Sequence, residues 1–390
     1  MSAPAHGKLP AVFMRGGTSK ALVFHARDLP AERGEWDAIF LAAMGSPDPN
    51  GRQLDGMGGG VTSVSKVCVI GPPSSADADI DYSFFQVLVR EARVATHGNC
   101  GNMSAAMGPF AVDEGLVATA GESATVRIHN TNTGKIIRAT FPLAGGRAAI
   151  DGDLRIPGVA GSGAPVRLDF LDPGGAATGR LLPSGRAAER IEVPGEGVFE
   201  VSVVDAANLC VFVAAAELGL AGTELPEALE RDARALGLAR RIGACALVAL
   251  GLAADEAAAR LRLPLIGIAS APADAPTLSG EVIAASDSDL CIRMLSSGQP
   301  HRALPATGSV CTAVAMRIPG SVVQRLARLG AGTRAVAGEQ PASRPAVRLA
   351  MPSGLLQVDA EVELRDGQPM AQSGTLYRTA RRLFEGAVCY

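Results

Sequence analysis

The chain has 390 residues, 47% hydrophobic and 19% charged, with 36 basic residues against 39 acidic ones and a net charge of -3. This balance, with only 4% aromatic residues, excludes a basic nucleic-acid footprint, a base-stacking platform and a polybasic membrane patch. The apolar content suffices for one or two full cores, and the length favours two domains.

The first residues lack a charged segment followed by a long apolar run, so no signal peptide is expected. The most apolar stretch, residues 242–253, falls short of the about 20 residues that span a bilayer and reads as a core helix. The seven cysteines (68, 100, 210, 245, 291, 311 and 389) are odd in number and form no CxxC pair. They point away from a disulfide framework and from structural zinc, so the reducing cytoplasm is the expected location.

In chain order, strands are expected at residues 11–13, 21–24, 67–70, 84–89 and 126–128, with a buried helix of small and apolar residues at 104–112. Residues 168–197 are rich in turn formers and set a boundary between domains 1–185 and 186–390, with the C-terminal tail free to pack back on the first. Further strands are expected at 199–204, 210–214, 263–268 and 289–294. Helices are expected at 227–236, 255–262, 312–317 and 321–329, and residues 330–344 read as a polar loop. Short strands around occasional helices define an α+β class rather than a doubly wound parallel sheet.

Three glycine-rich polar clusters carry the candidate chemistry. The first is Met14-Arg-Gly-Gly-Thr-Ser-Lys20, behind a strand. Gly16 and Gly17 allow a sharp turn with exposed N–H groups, and Arg15, Thr18, Ser19 and Lys20 add donors for a carboxylate or phosphate. The spacing fails the phosphate-loop pattern, and an ordinary hairpin turn is the competing reading. The second runs from Gln53 to Lys66 through Gly58-Gly59-Gly60, Thr62 and Ser63. Lys66 enters a strand there, and a lysine desolvated in a pocket can act as a base. Only four of the 36 basic residues are lysines, which favours a need for an amine over a solvated surface charge. The third is Thr96-His-Gly-Asn-Cys-Gly-Asn102, running into the expected helix. A thiol at a helix start is stabilised as thiolate, and the same N–H groups can stabilise an enolate oxygen. Cysteines 68, 210, 245 and 291 lie in apolar runs and read as core packing. In the second half, Thr307-Gly308-Ser309 opens a small-residue helix with Cys311 one turn inside.

The ordered set MRGGTSK, GSPDP, QLDGMGGG, SVSKV, GNCGN with SAAMGPFAV, TGRLLPSG and TGSVCTAVA resembles the PrpF family, from about residue 11 to the C-terminal YRTARRLFEG. The resemblance implies a diaminopimelate epimerase-like fold: two similar α+β domains, each a sheet curled around a central helix, with the site in the cleft between them. It implies an isomerase that needs no metal or organic cofactor and moves a proton on a small unsaturated di- or tricarboxylate such as 2-methylaconitate. Keto–enol tautomerisation of 4-oxalomesaconate and non-catalytic polycarboxylate binding are the alternatives. No nucleic-acid or membrane partner is expected, and a homodimer stays open. By resemblance, Lys66 and Cys100 are the catalytic pair. The substrate loops carry Arg15, Gly17, Thr18, Ser19, Gly59, Gly60, Thr62, Ser63, Asn99, Gly101, Asn102, Thr307, Gly308 and Ser309. Two departures stand out. Thr307 occupies the place of the second thiol of diaminopimelate epimerases, which leaves Lys66 as the second acid/base. Asp205-Ala-Ala-Asn-Leu replaces the DAGNP common in the family.

Overall fold

A computed structural model describes residues 7–96, 99–262, 264–296, 298–328 and 346–390. His97, Gly98, residue 263 and the expected features at 329–344 lie outside the described residues. The chain forms two compact units, Met1–Leu168 with Tyr377–Tyr390, and Asp169–Leu376.

In the first unit, β1 (Lys8–Gly16) turns back antiparallel into β2 (Ser19–His25). β2 runs parallel to β3 (Lys66–Gly71), which pairs antiparallel with β4 (Ile80–Val87). β4 runs parallel to Ser123–Asn130, which pairs antiparallel with Lys135–Ala144. The terminal strand Ala380–Cys389 covers the other edge of β1. Between β2 and β3, α1 (Trp36–Met44) lays an aromatic face, Trp36 and Phe40, against Phe24 and Phe85. Between β4 and Ser123–Asn130 comes α2 (Gly101–Asp113), buried in every residue but Asp113.

The reason α2 can be enclosed is its composition. It touches β1, β2, β3, both strands of the Ser123–Ala144 hairpin and the terminal strand, so it has no solvent face to be polar on. Small residues let the strands close in. At Gly108 a Cβ would stand 2.9 Å from the Phe141 ring.

The second unit repeats this path. Gly197–Ala206 pairs antiparallel with Asn208–Ala214, which runs parallel to Leu265–Ser270. That strand is antiparallel to Leu290–Ser296, then parallel to Val347–Met351, then antiparallel to Gly354–Arg365. The outer helix, Ala233–Ala249, again falls between the second and third strands of the series. The wholly buried helix, Ala306–Met316, again falls between the fourth and fifth. Each unit is thus a curled sheet around a central helix.

Several bounds differ from the sequence reading. The helix expected at 227–236 is broken at Asp232, whose carboxylate accepts from the Ala235 N–H and starts Ala233–Ala249. The helix expected at 312–317 begins at Ala306, behind Pro305. The strands Gly354–Arg365, Gln368–Arg378 and Ala380–Cys389 were not expected, because their exposed positions carry many charges.

The C-terminal end of α2 is held by charge. Glu114, its C-cap, meets His25 Nε2 at 3.0 Å and accepts from Arg382 Nη2 at 2.7 Å. Burial pushes the Glu114 carboxyl up, but His25 and Arg382 together hold it below its usual range. A depressed carboxylate stabilises the fold above the ordinary glutamate range, and that stabilisation is lost as pH falls through the lowered folded value. Glu114→Gln is therefore expected to cost about 1 kcal/mol at neutral pH. In urea titrations its deficit against wild type should close as the pH drops below about 4.

Candidate active site

In the first unit the β1–β2 turn sits directly on the first turn of α2. Gly17 adopts φ 51°, and a Cβ there would lie 2.4 Å from Asn102 Oδ1. Asn102 Nδ2 donates to Thr18 Oγ1 at 3.0 Å, and Asn102 Oδ1 accepts from Arg378 Nε at 3.0 Å. Arg15 braces the turn: its Nη1 donates to Gly17 O and Thr379 O, both at 3.0 Å, and to Thr379 Oγ1 at 2.9 Å. Burial, with Arg381 adding repulsion, holds the Arg15 guanidinium below its ordinary value. Ser19 is buried at the start of β2, and the Lys20 ammonium lies over the Phe13 ring.

Cys100 is the N-cap residue of α2 and is 8% exposed. Its thiol makes no capping bond, while its carbonyl accepts from Ser104 N–H at 3.0 Å, Ser104 Oγ at 3.2 Å and Tyr82 Oη at 3.4 Å. The N–H groups of Gly101, Asn102 and Met103 lie in the first turn, where a helix offers no intrahelical acceptor. Asn99 has a supporting role: its Oδ1 accepts from Asn130 Nδ2 at 3.1 Å.

Lys66 opens β3 and is 6% exposed. Its Nζ donates to Gln86 Oε1 at 2.7 Å and stands 4.8 Å from the centre of the Phe84 ring. Gln86 is its partner across the β3–β4 ladder, and Gln86 Nε2 donates to Ser65 O at 2.8 Å and Thr62 O at 3.1 Å. Those bonds fix the amide with its oxygen toward Lys66. Gln53, 1% exposed, performs the same service for the glycine loop. Its Nε2 donates to Ser65 Oγ at 2.7 Å and Ser46 Oγ at 2.8 Å, and its Oε1 accepts from Gly60 N–H at 3.0 Å. Thr62 is buried, Ser63 half-buried and Gly59 exposed.

Cys68 lies within electrostatic reach of both catalytic candidates. Burial pushes its thiol far up and Cys100 adds to that, while the Tyr82 hydrogen bond and Lys66 oppose it. Cys68 lies two residues along β3 from Lys66, with Sγ 3.9 Å from Tyr82 Oη, and Tyr82 in turn donates to Cys100 O at 3.4 Å, so the strand that carries Lys66 reaches the start of α2. Sequence reasoning missed Gln86, Tyr82 and Arg378. A glutamine inside the apolar run Phe84-Phe85-Gln86-Val87 was the available signal.

In the second unit, Thr307, Gly308 and Ser309 lie inside the helix Ala306–Met316 rather than in a turn before it. Thr307 Oγ1 accepts from Asn208 Nδ2 at 3.5 Å. Asn208 follows Ala207, which takes φ 59° at the hairpin. Hairpin and central helix are thus linked by side chains, as Thr18 and Asn102 link them in the first unit. A Cβ on Gly308 would meet Met294 Sδ at 2.3 Å, and Ser309 Oγ donates to Pro305 O at 3.0 Å. Cys311 is buried with Sγ 3.3 Å from Val204 O, in a packing position. Among the described residues, no three His, Cys, Asp or Glu side chains cluster as metal ligands, and no helix is long and apolar enough to cross a membrane.

Two repeated sheet-and-helix units define the fold of the racemase and epimerase class. The chain aligns with a crystal structure of a hydroxyproline epimerase from Agrobacterium vitis at a TM-score of 0.55 and 12% identity, covering 98% of this chain and 92% of that one. A crystal structure of methylitaconate-delta-isomerase aligns at 0.75 and 38% identity, covering 98% and 96%. The family described as PrpF protein matches residues 6–390. The chain is 38% identical to 3-methylitaconate isomerase of Eubacterium barkeri, over 98% of this chain and 97% of the relative. It is also 38% identical to 2-methyl-aconitate isomerase of Cupriavidus necator and to 4-oxalomesaconate tautomerase of Pseudomonas putida, each over 98% of this chain and 96% of the relative. The chain belongs to the PrpF family and is an isomerase.

The Gln86 contact generates a test. Gln86→Leu strips the acceptor from Lys66 and removes the amide's bonds to the Thr62 and Ser65 carbonyls, of which Ser65 O keeps its bond from the Val87 N–H, at an expected cost of about 1–3 kcal/mol in urea unfolding. Turnover should fall with little change in KM, since the lysine is then present but unaligned.

Proposed function

We propose that this isomerase transfers a proton along a small unsaturated di- or tricarboxylate of the 2-methylaconitate type, without a cofactor, using Lys66 and Cys100. The observation that carries the reading is the buried Lys66 amine, aligned by Gln86, on a strand that connects through Cys68 and Tyr82 to Cys100 at the start of a buried helix. Relatives of this chain are named for methylitaconate, 2-methyl-aconitate and oxalomesaconate, which are unsaturated polycarboxylates.

A proton on carbon next to a carboxylate and a double bond is weakly acidic. The Lys66 amine takes it, and the electron pair spreads into a dienolate. Return of a proton to the far carbon, from the Lys66 ammonium or the Cys100 thiol, shifts the double bond. Rotation in the dienolate before return to the original carbon exchanges cis for trans. The growing negative charge on the carboxylate oxygen is met by the first N–H groups of α2, already oriented before the reaction. Thr18, Gly59, Gly60 and Ser63 are the proposed carboxylate donors of the first unit.

This division of labour sets the order of three variants. Lys66→Ala is expected to lower turnover by about 10²–10⁴-fold, the usual cost of a lost acid/base group. Cys100→Ser should cost less, because a hydroxyl keeps some hydrogen bonding at the helix start but is a poorer proton donor. Cys311→Ala should be mild. Turnover is measured on a panel of unsaturated di- and tricarboxylates, with circular dichroism as the folding control. Near-normal turnover in a folded Lys66→Ala variant would remove the lysine from the mechanism.

A further inference from the structure

Arg378 ends the strand Gln368–Arg378 and is 3% exposed. Its hydrogen bonds go to neutral oxygens: Nε to Asn102 Oδ1 and Nη1 to Tyr377 O, both at 3.0 Å. Among the described residues no carboxylate pairs with it. Burial holds its guanidinium down to about 10 with no acid opposing the effect, so it stays charged at neutral pH. A buried cation without a counter-charge costs several kcal/mol.

The surroundings deepen the imbalance. Arg15 lies opposite Lys20 on β2 and opposite Arg381 on the terminal strand. The start of α2 adds the positive end of a helix dipole. The Asn102 amide is pinned, with its nitrogen on Thr18 and its oxygen on Arg378. Glycines let the β1–β2 turn approach it closely: a Cβ on Gly16 would lie 2.3 Å from Asn102 O, and one on Gly17 3.0 Å from Arg378 Cδ. The atoms that hold the Arg378 guanidinium, Asn102 Oδ1 and Tyr377 O, are neutral acceptors that leave its charge uncompensated.

We infer that Arg378 is the cation that binds one carboxylate of the substrate, at the start of α2 beside Thr18 and Asn102. The inference rests on the polycarboxylate reading above and adds to it a specific anchor. A guanidinium presents parallel N–H donors that match a carboxylate, which an ammonium cannot reproduce. One carboxylate fixed at the helix start would orient the rest of the molecule toward Lys66.

The test is calorimetric titration of the full chain with propane-1,2,3-tricarboxylate, which is saturated and cannot isomerise, and with its mono-amides. Arg378→Gln should weaken binding by about tenfold or more, the loss of one charge-assisted contact. Arg378→Lys should fall between that variant and wild type. One mono-amide should bind wild type more weakly than the triacid does, yet bind Arg378→Gln as well as the triacid does. A merely structural arginine would not produce that non-additivity. If Arg378→Gln fails to fold, the same comparison is made with Arg378→Lys, where the discrimination should shrink rather than vanish. Unchanged triacid affinity in the folded variants, or equal amide penalties in wild type and variant, would overturn the assignment. Failure of wild type itself to bind or turn over any polycarboxylate would instead overturn the functional reading, and this assignment with it.

Discussion

A helix enclosed on every side by strands must solve the problem of its own first turn. Its opening N–H groups have no intrahelical acceptor, and burial denies them water in bulk. In this protein the start of α2 meets the β1–β2 turn at a distance only glycine allows, and Asn102 ties the two together through Thr18. The rest of the site follows from that junction. Cys100 is set at the mouth of the helix, and Tyr82 and Ser104 hold its carbonyl, so the thiol is presented by fixed backbone. Lys66 arrives on β3, and its amine is aligned from the neighbouring strand by Gln86.

The second unit shows the same junction built from other residues. Its hairpin takes the left-handed conformation at Ala207, φ 59°, where the first unit has Gly17, φ 51°. Its central helix starts behind Pro305, not behind a cysteine, and a threonine takes the contact with the hairpin. The repeat of sheet order, outer helix and central helix preserves the architecture while the residues at the junction change. Cys311 is buried against Val204 O, one turn inside its helix.

Much of this was legible in the sequence where local chemistry dictates local structure. The first glycine cluster falls at a turn and Cys100 at a helix start, as their residue types indicate, because sharp turns and helix starts need particular residues. The α+β class followed from short apolar runs. What was illegible depends on distant pairing. Gln86 looks like an interloper in an apolar strand until the ladder puts it opposite Lys66. Arg378 lies 276 residues from Asn102 and belongs to a charged C-terminal segment that gives no strand pattern. The start of the helix Ala306–Met316 was hidden because glycine, serine and threonine read as turn formers, although burial against Met294 overrides that preference.

If Lys66 moves a carbon-bound proton of an unsaturated polycarboxylate, proton NMR in deuterated water shows it directly, with each candidate di- and tricarboxylate followed in the presence of wild-type protein and of Lys66→Ala. Loss of one substrate C–H signal to deuterium together with the appearance of an isomer is expected in wild type only. Isomer formation and exchange at equal rates in the folded Lys66→Ala variant, or neither with any unsaturated polycarboxylate in wild type, would contradict it.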